Sequence, residues 1–164
     1  MLTTAREFAI KHHGDQRYGE KPYSYHLEQV VELLQPYGKE AQIIGYLHDV
    51  VEDTPATVEM IESLFDTKIA QAVSILTDEP GETRQERKAK TYHIMSTVQG
   101  ELEIALLVKA ADRLANVRSC VENGRDDKFM MYREEQPQFE WAAYRPGLCD
   151  EFWEELRALL DSED

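Results

Sequence analysis

The sequence predicts an all-α fold, a compact orthogonal bundle of helices. Almost every periodic segment has helical spacing, no run alternates with period two for long, and no internal repeat is evident. The 164 residues fit one domain, residues 1–164, with enough chain for a real core. Hydrophobic content of 42% beside 30% charged residues is that of a soluble globular chain rather than a disordered one.

Ala5, Phe8 and Ala9 open a first helix that ends near Gly14. Pro22 starts a second, with Val30, Val31, Leu33 and Leu34 as its apolar stripe, and Pro36 and Gly38 stop it. A third is expected from about Glu40 to Asp53, closed by Thr54-Pro55 because a residue before proline avoids the helical region. Short helices from Thr57 to Leu64 and from Thr67 to Leu76 follow, the latter with Asp66 as N-cap. Residues 78–83, Asp-Glu-Pro-Gly-Glu-Thr, read as a loop, and a charged helix runs from about Arg84 to Val98. Leu102 to Val121 is the most continuously apolar stretch and reads as the central buried helix. Helices at about Asp127–Tyr144, which Pro137 should kink or split, and Leu148–Leu160 complete the bundle.

Composition narrows function before any motif does. A formal net charge of -14 argues against non-specific binding to nucleic acid, and against an anionic membrane surface. It leaves room for an anionic small molecule, because a metal and a few local Lys and Arg can reverse the sign inside one cleft. No apolar run approaches the ~20 residues of a membrane helix. The N-terminal residues show no basic region followed by an apolar one, so no secretory leader is expected and a cytoplasmic setting is. Cys120 and Cys149 form no CxxC and sit in helix-like stretches, which suits two reduced core thiols.

Three places break the apolar pattern. His48-Asp49, followed one turn later by Glu52-Asp53, sits inside or at the end of the run Ile43-Ile44-Gly45-Tyr46-Leu47. Asp112 lies in the middle of the central helix, and His26 starts the second. Buried charge needs a partner. One divalent cation satisfies all four of His26, His48, Asp49 and Asp112, whereas each taken singly is explained as well by packing or an ion pair. Two histidines and two aspartates from three helices suit Mn²⁺, Fe²⁺, Zn²⁺ or Mg²⁺-like ions, with positions left for water. The absence of cysteine ligands argues against a structural zinc. On a continuous helix His48 and Glu52 are i,i+4, as are Asp49 and Asp53, so the second pair projects near the metal but one turn further along. Lys109, Asp112, Arg113 and Asn116 fall near one face of the central helix, which offers cations to a phosphate.

The quartet His26, His48-Asp49 and Asp112 resembles the metal set of the HD-domain phosphohydrolases. The flanking residues narrow this. Phe8-Ala9, Lys11-His12, Gly14, Arg17, Pro22-Tyr23 and His26 come first, then Leu47-His48-Asp49-Val50-Val51-Glu52-Asp53-Thr54, then Val108-Lys109-Ala110-Ala111-Asp112-Arg113-Leu114-Ala115-Asn116. Together, over about residues 5 to 118, they resemble the hydrolase domain of the Rel/Spo family and its stand-alone small alarmone hydrolases. The resemblance implies metal-dependent removal of the 3′-diphosphate from ppGpp or pppGpp, releasing pyrophosphate with GDP or GTP, with Mn²⁺ as the expected ion. It gives Glu52 and Asp53 the water-activating role. It places Asn116 at the nucleoside sugar, Arg17 at the nucleotide end of the cleft, and Arg84, Arg87 and Lys88 at the diphosphate beside Lys109.

Three positions depart from the family pattern. Tyr18 stands where a basic residue is usual, Ala110 where leucine is common, and Gln138 where the animal type has a base-stacking tyrosine. Tyr132, Phe139, Trp141 and Tyr144 are the aromatic candidates for stacking on a base. Two further readings stay open at this level: an HD phosphohydrolase acting on a nucleoside monophosphate or NADPH, and a non-enzymatic module stapled by its metal.

Overall fold

The computed structural model describes residues 1–162. The chain is an all-α bundle: α1 Leu2–His13, α2 Tyr23–Leu34, α3 Lys39–Leu47, α4 Val50–Asp53, α5 Val58–Leu64, α6 Thr67–Leu76, α7 Arg84–Ser96, α8 Ile104–Asn123, α9 Asp126–Ala143 and α10 Asp150–Asp161. Short 3-10 turns at Gln35–Tyr37 and Gly100–Glu103 lead into α3 and α8.

Helix α8 is the hub and packs against α2, α3, α6, α9 and α10. From Ala105 to Ala115 it is buried almost all round, which is why its sequence reads as apolar without a clear polar face. Gly124, at φ 64°, terminates it in the left-handed conformation that closes many helices. Helix α2 buries Leu27, Val30, Val31 and Leu34, a stripe at i, i+3, i+4 and i+7, against α3. Gly45 lets the two helices approach closely: a Cβ there would lie 2.9 Å from Leu34 Cδ1 and 3.2 Å from Val31 Cγ2. Asp66 caps α6 as expected, accepting the Ile69 N–H at 2.7 Å.

Four local expectations are corrected. The third helix is broken: α3 stops at Leu47 and α4 resumes at Val50, with Asp49 at φ -108°, ψ -1°. The break turns Asp49 toward the second helix, where Tyr23 donates to its carboxylate. Only Asp49 and Asp53 keep an i,i+4 backbone bond across it, at 3.0 Å. Pro137 does not split α9, which runs on to bury Phe139, Ala142 and Ala143; packing of that last turn offsets the lost N–H. Cys149 is not helical but sits in the left-handed region at φ 51° just before α10, although both cysteines are buried and unpaired as expected. Finally, Arg17–Tyr18 and Lys21–Pro22 pair as an antiparallel hairpin between α1 and α2. Two-residue strands are too short to print a period-two pattern.

Candidate metal centre

Four side chains converge where α2, the α3–α4 break and α8 meet. One ligand atom from each of His26, His48, Asp49 and Asp112 lies within 4.8 Å of every other. His26 and His48 are 1% exposed and Asp112 is 4% exposed, so the cluster is dry on the protein side. Nε2 of His26 is 3.0 Å from Asp112 Oδ1, and Nε2 of His48 is 3.2 Å from the same oxygen and 2.9 Å from Asp49 Oδ2.

The donor set fits a divalent metal. Nδ1 of His48 lies 2.6 Å from the Gly45 carbonyl oxygen, an acceptor only, so Nδ1 carries the proton and donates. Its Nε2 faces two carboxylate oxygens at contact distance. Carboxylates packed this closely need positive charge among them, which a bound divalent cation or protonated imidazoles can supply. The outer contacts are those that orient ligands: Tyr23 donates to Asp49, while Lys109 Nζ and Asn116 Nδ2 each reach Asp112 at 3.1 Å. The buried partner of Asp112 is therefore Lys109. Arg113 turns away to Glu135 at 3.2 Å and to the Tyr92 hydroxyl at 2.9 Å. Burial alone would raise the pKa of Asp112; Lys109 and the two histidines outweigh it and hold the carboxyl well below its usual range.

The cluster opens into a cleft of about 770 Å³. Arg17, Glu52, Asp53, Arg84, Lys88, Lys109 and Asn116 all line it with Asp49 and Asp112, so the structure gathers nearly every residue singled out in the sequence. Its walls carry eight Lys and Arg against five Asp and Glu, a local positive excess in a chain of net charge -14. Arg87 is not brought in. Its guanidinium donates to the Gly81 carbonyl at 3.4 Å and braces the 78–83 loop. Of the aromatic candidates only Tyr132 lines the cleft. Phe139 is core, Tyr144 packs edge-on against Trp153, and Trp141 is 63% exposed. Gln138 is exposed and outside the cleft walls.

The two further carboxylates have distinct settings. Glu52 accepts the Asp78 N–H at 2.7 Å, and the Asp78 carboxylate holds Lys88 Nζ at 2.9 Å. Asp53 accepts from Gln16 Nε2 at 3.1 Å. Burial first, and then neighbouring carboxylates, raise the pKa of both, against the hydrogen bonds from the Asp78 amide and Gln16 that lower it. Arg84, which lines the cleft, is anchored to Glu135 of α9 at 2.7 Å.

Several participants have no role assigned from the sequence, although Tyr18 stands out as a departure from the family pattern and Tyr23 lies within the matching motif. Tyr18 stacks on His26 with centroids 4.6 Å apart and 12° between planes, and its hydroxyl donates to Asn116 at 2.7 Å. Tyr23, Gln16, Asp78 and Glu135 reach the site only through the fold. For Gln16 the one signal is its place beside Arg17 in the chain, while Asp78 reads only as part of a loop and Glu135 carries none.

Comparison with known proteins agrees with this geometry. Residues 5–148 match the HD domain family. The chain is 32% identical over 160 residues to a Synechocystis sp. protein named probable guanosine-3′,5′-bis(diphosphate) 3′-pyrophosphohydrolase, covering 94% of this chain and 21% of that one. It is 32% identical over 153 residues to Danio rerio guanosine-3′,5′-bis(diphosphate) 3′-pyrophosphohydrolase MESH1, covering 87% of this chain and 81% of that one. It thus spans about a fifth of the first curated relatives but most of the zebrafish protein. A solved structure described as a metazoan ortholog of SpoT that hydrolyzes ppGpp superposes with a TM-score of 0.75 at 24% identity, over 96% of this chain and 93% of the other. That last likeness speaks to the fold.

Proposed function

The chain belongs to the HD-domain family, and from that premise we propose that it is a Mn²⁺-dependent hydrolase of guanosine polyphosphates, removing the 3′-diphosphate of ppGpp or pppGpp. The observation that carries this reading is the buried His26–His48–Asp49–Asp112 cluster at the base of a cationic cleft that also holds two uncoordinated carboxylates, Glu52 and Asp53. A metal staple has no use for that second pair.

His26, His48, Asp49 and Asp112 would hold the ion. When bound, it supplies Lewis-acid polarisation of a phosphoryl oxygen and lowers the pKa of water. Glu52 and Asp53 orient the attacking water and accept its proton, Glu52 being fixed by the Asp78 amide. The water oxygen forms a bond to the phosphorus attached to the 3′ oxygen, that P–O bond breaks, and the 3′ oxygen leaves as a hydroxyl once protonated. Pyrophosphate departs intact. Arg84, Lys88 and Lys109 neutralise the diphosphate charge, which grows on the equatorial oxygens in the transition state. Arg17 and Asn116 hold the nucleoside end, and of the four aromatic candidates Tyr132 is the one that lines the cleft where a base could stack.

A nucleotide panel tests the reading. Purified protein with Mn²⁺ is incubated with ppGpp, pppGpp, NADPH and nucleoside monophosphates, and the products are identified. Pyrophosphate plus GDP or GTP is expected. Release of orthophosphate only, or turnover confined to NADPH or monophosphates, overturns it.

A further inference from the structure

The segment His12-His13-Gly14-Asp15-Gln16 lies just before Arg17. Two of its buried or half-buried polar side chains, His13 and Gln16, form a chain of contacts ending on a carboxylate. His13, the last residue of α1, is buried and its ring stacks on Tyr23, centroids 4.6 Å apart. Its Nδ1 is 2.7 Å from Gln16 Oε1, and Gln16 Nε2 is 3.1 Å from Asp53 Oδ2. Gln16 is also tied at both ends of its backbone: its N–H donates to His13 O at 3.0 Å, and its carbonyl accepts from the Tyr23 N–H at 3.0 Å.

These contacts admit one arrangement of protons. Asp53 only accepts, so the Gln16 amide nitrogen faces it and the amide oxygen faces His13. His13 must then carry its proton on Nδ1, which agrees with its buried Nε2 having no protein partner among the described residues.

We infer that Gln16, oriented by His13, is the positioning residue that aims the Asp53 carboxylate into the cleft. This rests on the reading of Asp53 as a water-activating group. Asp53 needs such a support. It ends a helix of one turn, followed at once by Thr54-Pro55, and the Gln16 amide is the only side-chain hydrogen bond it makes among the described residues. Burial and the Asp49 carboxylate disfavour its ionised form, the Gln16 hydrogen bond favours it, and His13 and His48 are the neighbouring imidazoles that add to that when protonated.

Three variants read the link. Gln16→Met keeps the side-chain length and removes both hydrogen bonds. It should lower kcat on ppGpp about 10- to 100-fold with KM changed less than about threefold, the loss expected for one hydrogen bond to a charged group. His13→Phe keeps the stack on Tyr23 but not the donor, and should show a smaller loss of kcat in the same direction. Gln16→Glu sets a like charge against Asp53 and should lose kcat at pH 8 yet recover part of it near pH 5.5, where the introduced carboxyl can donate a proton. A purely structural role predicts parallel losses of stability and no such pH rescue. Carbon-13 titration of the Asp53 carboxyl in Mg²⁺-loaded protein reads the contact without turnover: its midpoint should rise by about half a pH unit or more in Gln16→Met. An unchanged kcat in Gln16→Met while Asp53→Asn is inactive overturns the inference, as does an unmoved titration. If wild-type protein turns over no nucleotide, the proposed function falls, and the titration alone decides the Gln16–Asp53 link.

Discussion

The imidazole of His48 is held by the helix it ends: its Nδ1 donates to the Gly45 carbonyl at 2.6 Å, and that same Gly45 is where α3 presses against α2. Ligand orientation and helix packing thus meet at one residue. A side chain at position 45 must push into Leu34 and Val31. Gly45→Ala adds about 1 kcal/mol of helix propensity, which offsets part of the crowding against the Leu34 methyl. Gly45→Val has no such offset and should cost about 1–3 kcal/mol, lowering Tm by several degrees in thermal unfolding and weakening divalent-metal affinity with it. A Gly45→Val protein as stable as wild type would refute the tight approach.

Metal removal should be visible in the melting temperature. A ligand that binds only the folded state stabilises it. EDTA should lower Tm of the wild type, and excess Mn²⁺ should restore it. Asp112→Asn, which keeps volume but replaces the shared carboxylate by a neutral amide, should melt at one temperature with or without EDTA. A full EDTA response in that variant would remove Asp112 from the metal set. Both variants take the carboxylate away from the buried Lys109 charge, but Asn keeps an oxygen that can accept from the ammonium and Ala does not, so Asp112→Ala should be the worse folded, losing about 3–5 kcal/mol.

Glu52→Gln separates chemistry from structure. The amide still fills the place beside the Asp78 N–H but takes no proton from water. Metal content and Tm should stay near wild type while kcat falls about 10²- to 10⁴-fold. Wild-type turnover in this variant would exclude Glu52 as a base.

Lys88 sets a pH limit. Burial first, then Lys109 and Arg84, lower its pKa to about 8 against the pull of Asp78. It is cationic at pH 7 and neutral well above 8, so KM for a polyphosphate should climb as pH passes 8, and Lys88→Met should flatten that climb. The stability effect has its own sign. The folded pKa lies below the unfolded one, so between about pH 8 and 10.5 the unfolded chain binds more protons and stability from this group rises with pH. Denaturant titrations at pH 7.5 and 9.5 of wild type and Lys88→Met check it.

The sequence by itself determined most of the helices, the Asp66 cap and the four residues that cluster as candidate metal ligands. Apolar spacing is a local property, and His48, Asp49 and Asp112 stand out because they interrupt it. Pro and Gly marked the ends of α2, and Asp66 marked the start of α6, for equally local reasons. Tertiary structure decided what depends on contacts between distant residues: the break at Asp49, which Tyr23 stabilises from another helix; the continuity of α9 through Pro137, which the burial of its last turn maintains; the withdrawal of Arg87 to the Gly81 carbonyl; and the arrival of Gln16, Asp78 and Glu135 beside the groups they orient. A buried charge announces that it needs a partner. Which partner it obtains is a matter of distances that no local pattern encodes.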